Sequence, residues 1–417
     1  MNFIKTSFLS GLSTAISLIA RLISTKIVAV LLGTNGMFLM GQLKDFLRLG
    51  NTISSFGIEN GIIKYTSEFE KKEKDLSKII GSSFKINFFS AIIFSLIVVL
   101  SKEHISDFLK INFNQNFYFL VLVFSIISAS IHTCFLSIYN GLKKINLYVL
   151  VNIFSNITAA ILLIILVTKM NIIGAFYALA LNQIIALLIN IIFFIYYRPF
   201  NIQYLFDKLI KENFKKLSKF SLMAIAGPLC LIISTFIVRD YIYEFFGADH
   251  AGSWEAMWRI SSIYILFLIT TFKFYLIPTF SKLEGNKLKN EIFKIWKFTI
   301  PIIILITMVV YLLKDFIITI LLSKDFILIN SIIFFHLIGD VIKINCWVLG
   351  NILISKANTK VFILFQIEWS FLFVILCIFL INYYGFVGVS IAYFITYIIH
   401  FSLLNLYFKN LIWKKNS

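Results

Sequence analysis

Twelve runs of about twenty apolar residues follow one another along this chain, and nothing constrains its fold more. A helix of that length crosses the hydrocarbon core of a bilayer, about 30 Å thick. Inside lipid every backbone polar group must find its partner within the segment, so such runs become helices. They fall at residues 8–32, 37–61, 79–100, 117–140, 147–168 and 172–197, then at 220–239, 254–278, 298–313, 326–355, 361–382 and 386–408. Composition agrees: of 417 residues 59% are apolar, 14% are charged and only 4 are proline. A water-soluble domain of that size needs far more polar surface. Arg21 and Lys26 interrupt the first run, so it does not read as a cleavable signal peptide.

The 38 Lys and Arg against 20 Asp and Glu give a net charge of +18. Placement decides what that excess means. Of the 38, 24 fall in segments on one side of the predicted membrane, the side that also holds both termini. The bias marks that side as cytoplasmic and removes nucleic acid as the expected partner, leaving anionic lipid heads. The external segments are too short for a folded domain. Cys134, Cys230, Cys346 and Cys377 are far apart in apolar runs, so neither a metal site nor a disulfide framework is expected. Neither a catalytic motif nor a cofactor motif is present, which argues against an enzyme.

The two halves repeat at a period near 213 residues. Leu31-Leu32-Gly33 aligns with Phe245-Phe246-Gly247, and IIKYTSEFE (62–70) with LIPTFSKLE (276–284). A two-residue slip then pairs LSKEHI (100–105) with LLKDFI (312–317), and Leu142, Lys144 and Asn146 with Ile354, Lys356 and Asn358; Gly174 matches Gly388. Six spans per repeat is an even number, so both halves face the same way. The expected architecture is an all-α integral membrane protein of 12 transmembrane helices. These form two six-helix bundles, 1–197 and 220–417, joined by a basic linker at 198–219 and related by a pseudo-twofold axis along the membrane normal.

Polar residues inside the spans fall into stripes. On a helix at 37–61, Lys44, Arg48, Asn51, Thr52, Ser55 and Glu59 share one face, with Asp45 at its edge. The eighth span places Glu255, Arg259, Ser262, Thr270 and Lys273 together. The tenth carries His336, Asp340, Lys343, Trp347 and Asn351; the first Thr14, Ser17, Arg21 and Ser24; the eleventh Gln366 and Glu368. A charge at a helix centre costs about 2.5–3.5 kcal/mol on insertion scales, so these stripes do not face lipid. They pair with each other, as Asp45–Arg48, Glu255–Arg259 and Asp340–Lys343, or line a hydrated cavity. Arg21, Lys26, Lys44, Arg48, Arg259 and Lys273 are the candidate substrate contacts, and this basic excess suits an anionic substrate. Asp340, Glu59, Glu368 and His336 are the candidates for carrying a coupling ion. Trp254, Trp258 and Trp413 read as interface anchors.

GIENGIIKY (57–65), LSKFSLMA (217–224), FYLIPTFSKL (274–283), LLKDFIITILLSKDF (312–326), HLIGDVIKI (336–344) and ISKANTKVF (354–362) occur in this order along the whole chain. The chain resembles the polysaccharide flippases of the Wzx kind, in the O-antigen translocase and lipid III flippase branch. That resemblance implies transfer of an undecaprenyl-diphosphate-linked oligosaccharide from the cytoplasmic to the periplasmic leaflet of a bacterial inner membrane, by alternating access or antiport. It also implies lipopolysaccharide or related polysaccharide biosynthesis, with a polysaccharide polymerase complex as a further partner. A cation or drug exporter of the same superfamily is the alternative. Lys44 matches a position that is basic in the family; Asp45 and Arg48 have no such match.

Overall fold

The computed structural model describes residues 3–111, 115–218 and 221–413; among them the chain is helical, with no β-strand. Eight stretches are long and apolar enough to cross a membrane. Three of them hold two spans each. Phe3–Ser54 breaks at Gly33 (φ 62°), Ile145–Tyr197 breaks at Asn171 (φ 50°), and Thr359–Tyr384 ends at Gly385 (φ 61°) before Gly388–Tyr407 begins. Ala248–Lys282, the helix of the Glu255 stripe, completes twelve long helices among the described residues. In chain order they are α1 (3–32), α2 (34–54), α3 (Glu73–Leu100), α4 (Gln115–Gly141), α5 (145–170), α6 (172–197), α7 (Ser221–Phe246), α8 (Ala248–Lys282), α9 (Gly285–Leu312), α10 (Ile329–Ser355), α11 (Thr359–Tyr384) and α12 (Gly388–Tyr407). The chain is therefore an all-α, multi-pass membrane protein.

The duplication is written into the backbone. Left-handed residues recur 214 positions apart: Gly33 and Gly247, Lys143 and Ala357, Asn171 and Gly385. Three residues beyond the last pair, a Cβ on Gly174 would sit 1.9 Å from the Leu166 carbonyl oxygen, and one on Gly388 would sit 2.2 Å from that of Leu380. Only glycine permits either approach. Short helices Lys102–Phe108 and Lys314–Leu321 follow α3 and α9, where the sequence pairs LSKEHI with LLKDFI. The two-residue slip expected beyond them is corrected. The turn bond Lys144 N–Tyr139 O answers Asn358 N–Leu353 O, which restores the offset to 214.

The chain divides into two compact units. One comprises Met1–Leu32 and Leu39–Ile232; the other comprises Gly33–Phe38 and Ile233–Ser417. Of the eight apolar stretches, those of α4 and α10 are the most enclosed. Over their most apolar stretches 56% and 61% of residues are buried, against 17–39% in the other apolar spans. Ile62, Ile79, Ile138, Tyr139, Val151 and Phe194 belong to the core of the first unit; Ile265, Leu268, Ile303 and Ile344 form a core in the second. Apolar side chains such as Ile93, Leu96, Ile192, Leu305 and Phe371 stay on the outside, as lipid requires.

Three expectations are revised. First, α2 stops at Ser54 instead of running to residue 61. Its last carbonyls are taken by hydroxyls: Ser90 donates to Ile53 O (3.0 Å) and Ser130 to Ser54 O (2.9 Å). Such side-chain bonds compete with the helix. Gly57 then turns the chain at φ 60°, where a Cβ would lie 2.7 Å from Ile225, and a new helix starts at Glu59. Second, α3 begins at Glu73, six residues before the expected start of the third span at 79. Third, Trp254 and Trp258 are no interface anchors: Trp254 is 1% exposed and packs edge-on to Trp258, which meets His336, Phe373 and Tyr393. Trp413 is exposed, as an anchor should be.

Candidate functional site

In the first unit the polar faces of α1 and α2 supply the cations. Arg21 and Arg48 are both exposed, and their charges lie close enough to repel each other. Among the described residues neither guanidinium makes an ion pair, so the Asp45–Arg48 pair expected from spacing does not form. Lys26 and Lys44 are half-buried on the same helices, and Asp45 is buried. The α1 face is tied to α5 by a bond from Asn156 Nδ2 to Ser17 Oγ (3.0 Å). Glu59 belongs to the separate helix Glu59–Glu68, so it does not continue the Lys44–Arg48 face; it lies near Cys134 and Tyr148 instead.

The second unit handles its charges differently. Glu255 binds two guanidinium groups, Arg239 Nη2 at 2.8 Å and Arg259 Nε at 2.9 Å. Arg239, only 3% exposed, also lies over the Trp254 ring. The terminal nitrogens of Arg259, Nη1 and Nη2, are buried and have no hydrogen-bond partner among the described residues. The Glu255–Arg259 pairing expected from i, i+4 spacing is present, and Arg239 joins it from α7. The side chain of Lys273 lies outside the described residues.

Asp340 is fully buried on α10, and hydroxyls surround it. Tyr393 of α12 donates to Oδ1 (2.8 Å), and Ser261 (2.6 Å) and Tyr264 of α8 donate to Oδ2. Lys343 does not pair with it among the described residues. Its ammonium donates to the Tyr393 hydroxyl (3.1 Å) and sits 4.9–5.9 Å from the ring centroids of Trp258, Tyr393 and Tyr397, a cation–π box. The expected Asp340–Lys343 pair is thus replaced by a hydroxyl between them. His336 stacks flat on Tyr393 and brings Nε2 to 4.0 Å from Asp340 Oδ2. Glu368, on α11, meets His400 Nδ1 of α12 at 2.6 Å. Its other oxygen is buried without a hydrogen-bond partner among the described residues.

The structure therefore gathers Arg21 with Arg48, Arg259 with Glu255, and His336 with Asp340, and leaves Glu59 and Glu368 in separate settings. Sequence reasoning passed over Arg239, Ser261, Tyr264, Tyr393, Tyr397 and His400. Arg239 stood at the edge of an apolar run, and tyrosines count as apolar there. One signal was present: Tyr393, Tyr397 and His400 are spaced four and three apart, a single face of α12.

Known proteins fit this architecture. The family model described as polysaccharide biosynthesis protein matches residues 3–284. The lipid III flippases of Escherichia coli (strain K12) and Shigella flexneri are each 27% identical over 420 residues, covering 100% of both chains. Among solved structures, a multidrug resistance MATE family transporter of the MOP superfamily, in an inward-facing conformation, matches with a TM-score of 0.76. The identity is 12%, and 94% of this chain and 95% of that one are covered. A MOP superfamily transporter from Pyrococcus furiosus matches at 0.64, with 13% identity and 96% of each chain covered. At such identities these two speak for the fold alone.

Proposed function

The chain is a member of the polysaccharide biosynthesis protein family, and from that premise we propose that it flips an undecaprenyl-diphosphate-linked oligosaccharide. The cargo is an O-antigen or related repeat unit, moved from the cytoplasmic to the periplasmic leaflet of the bacterial inner membrane. The protein is a transporter and not an enzyme. The observation that carries the reading is the Arg21–Arg48 pair: two neighbouring guanidiniums in membrane helices, with no acidic partner among the described residues. Like charges held near each other call for an anion, and guanidiniums bind phosphate oxygens in bidentate fashion. Lys26 and Lys44, on the same two helices, add to the positive field. The sugar passes through water while the polyprenyl tail stays in lipid. Alternating access comes from the two six-helix halves, and Asp340, with His336 beside it, carries the coupling ion; Glu368 and Glu59 are the further candidates.

A deletion strain tests the proposal. It should accumulate lipid-linked oligosaccharide on the cytoplasmic leaflet, and plasmid-borne protein should clear it. Arg21→Gln with Arg48→Gln should abolish complementation at an unchanged protein level. Normal complementation by that double variant would overturn the reading. So would a deletion strain that gains drug sensitivity without accumulating any lipid-linked oligosaccharide.

A further inference from the structure

The segment between α6 and α7 is no loose tether. Residues 198–218 contain a 3₁₀ turn, Ile202–Phe206, and a short helix, Lys211–Ser218, and both pack on the first unit. Ser77 of α3 donates to Asp207 (2.7 Å), Tyr204 donates to Glu73 (2.5 Å), and Ile210 N reaches Ser82 Oγ (3.4 Å). Gly81 makes the approach possible: a Cβ there would lie 2.8 Å from the carbonyl oxygens of both Tyr204 and Asp207. Phe200, Leu205 and Leu217 are buried by this docking.

The other side of the strap is left bare, and its chemistry is two-fold. Ile202, Phe206 and Leu209 are 55%, 73% and 47% exposed, although they lie beyond Arg198 and the end of α6. Among them stand Lys208, Lys211 and Lys215, all exposed. The segment carries five basic residues against Asp207 and Glu212. Asp207 is already engaged by Ser77 and the Lys208 N–H, so the outward surface is more basic than the count suggests. Apolar side chains with lysines among them, held next to the end of a transmembrane helix, fit the headgroup boundary of a bilayer. The lysines fit anionic heads, each worth a measurable share of the attraction to a charged leaflet.

We infer that residues 198–218 form a pre-folded strap that binds the anionic phospholipid surface of the leaflet beside it, with Phe206 inserted below the headgroups and Lys208, Lys211 and Lys215 on phosphate. Pinned to α3, the strap ties the first unit to the lipid. The basic bias of the chain makes that leaflet the cytoplasmic one. This inference does not depend on what the protein transports.

The test uses full-length protein in vesicles. A spin label is placed by Phe206→Cys in a chain whose Cys134, Cys230, Cys346 and Cys377 are changed to alanine. Its accessibility to oxygen and to a neutral, water-soluble nickel chelate is read by power saturation. In vesicles containing phosphatidylglycerol the label should favour oxygen over the chelate. The preference should fall at least severalfold in purely zwitterionic vesicles, and also on changing Lys208, Lys211 and Lys215 together to glutamine. A label equally open to the chelate in both lipids overturns the inference, as expected if a protein or water covers this face. Burial that ignores lipid charge overturns it as well. If the cysteine-free chain does not fold, Phe206→Trp in the natural background, read by quenching from brominated lipids, gives the same decision.

Discussion

Replacing Glu255 by glutamine should make the protein easier to unfold by about 3–5 kcal/mol, the cost of stranding a buried charge partner. The geometry supports that size. Glu255 accepts at 2.8 Å from Arg239 and at 2.9 Å from Arg259, and the three side chains are between 4% and 11% exposed, so water screens little. Each charge-assisted bond contributes about 1.5–3 kcal/mol, and Glu255→Gln weakens both while keeping the shape. Equilibrium unfolding in mixed micelles, with sodium dodecyl sulfate as denaturant, should show the midpoint falling. Adding Arg239→Gln should cost less than the sum of the two single changes, because both act on one bonded pair. Arg21→Gln with Arg48→Gln supplies the contrast: among the described residues those cations have no ion pair to lose, so stability should hold or rise while transport fails. An unchanged midpoint for Glu255→Gln, or no coupling with Arg239→Gln, would refute the assignment of this carboxylate to structure.

Three further outcomes are expected. Tyr264→Phe and Tyr393→Phe each remove a hydroxyl from Asp340 and should cost about 1–3 kcal/mol of stability each; Tyr393→Phe, which also takes the acceptor from Lys343, should be the more damaging to transport. Gly174→Ala and Gly388→Ala should each lower the folded yield, measured by size-exclusion of a fluorescent fusion, since their Cβ atoms would overlap the Leu166 and Leu380 carbonyls. Ser77 and the Lys208 N–H hold the Asp207 carboxyl below the usual carboxylate range. Its contribution to strap docking is therefore complete above that range and is lost as pH falls through the lowered value. The Phe206 label should report no change between pH 8 and pH 5, give way only in stronger acid, and give way at higher pH once Ser77→Ala is introduced.

Helix number and type were legible because lipid leaves the backbone no choice but to bond to itself, and twenty apolar residues advertise that constraint. Helix ends were less legible. The stop at Ser54 depends on Ser90 and Ser130, hydroxyls from distant helices that take its carbonyls, and no local pattern announces them. The charges were visible, but their partners were not. Spacing suggested three i, i+3 or i, i+4 pairs, and among the described residues only Glu255–Arg259 formed. Lys343 prefers aromatic faces and the Tyr393 hydroxyl, which composition counts as apolar. His400, the partner of Glu368, sits on a helix with no other charged residue between Gly388 and Tyr407.

The repeat explains why the halves end up with different chemistry. At the offset of 214, Gly50 is the counterpart of Tyr264 and Ile126 the counterpart of Asp340. Both pairs are neighbours. A Cβ on Gly50 would touch Ile126 at 3.6 Å, and the Tyr264 hydroxyl donates to Asp340. One backbone juxtaposition thus serves as apolar packing in the first half and as a buried carboxylate with its donors in the second. Arg259, bound to Glu255, stands where the first half has Asp45, and Arg48 stands where the second has Ser262. Duplication preserved the scaffold, because Gly174 and Gly388 leave it no room to move, while the side chains that scaffold presents diverged. On the function proposed here, the first half keeps its guanidiniums unpaired for a diphosphate. The second spends its own on Glu255 and reserves Asp340 for the coupling ion. A symmetric backbone can alternate between two faces, but only an asymmetric distribution of charge lets cargo and ion act on different halves of it.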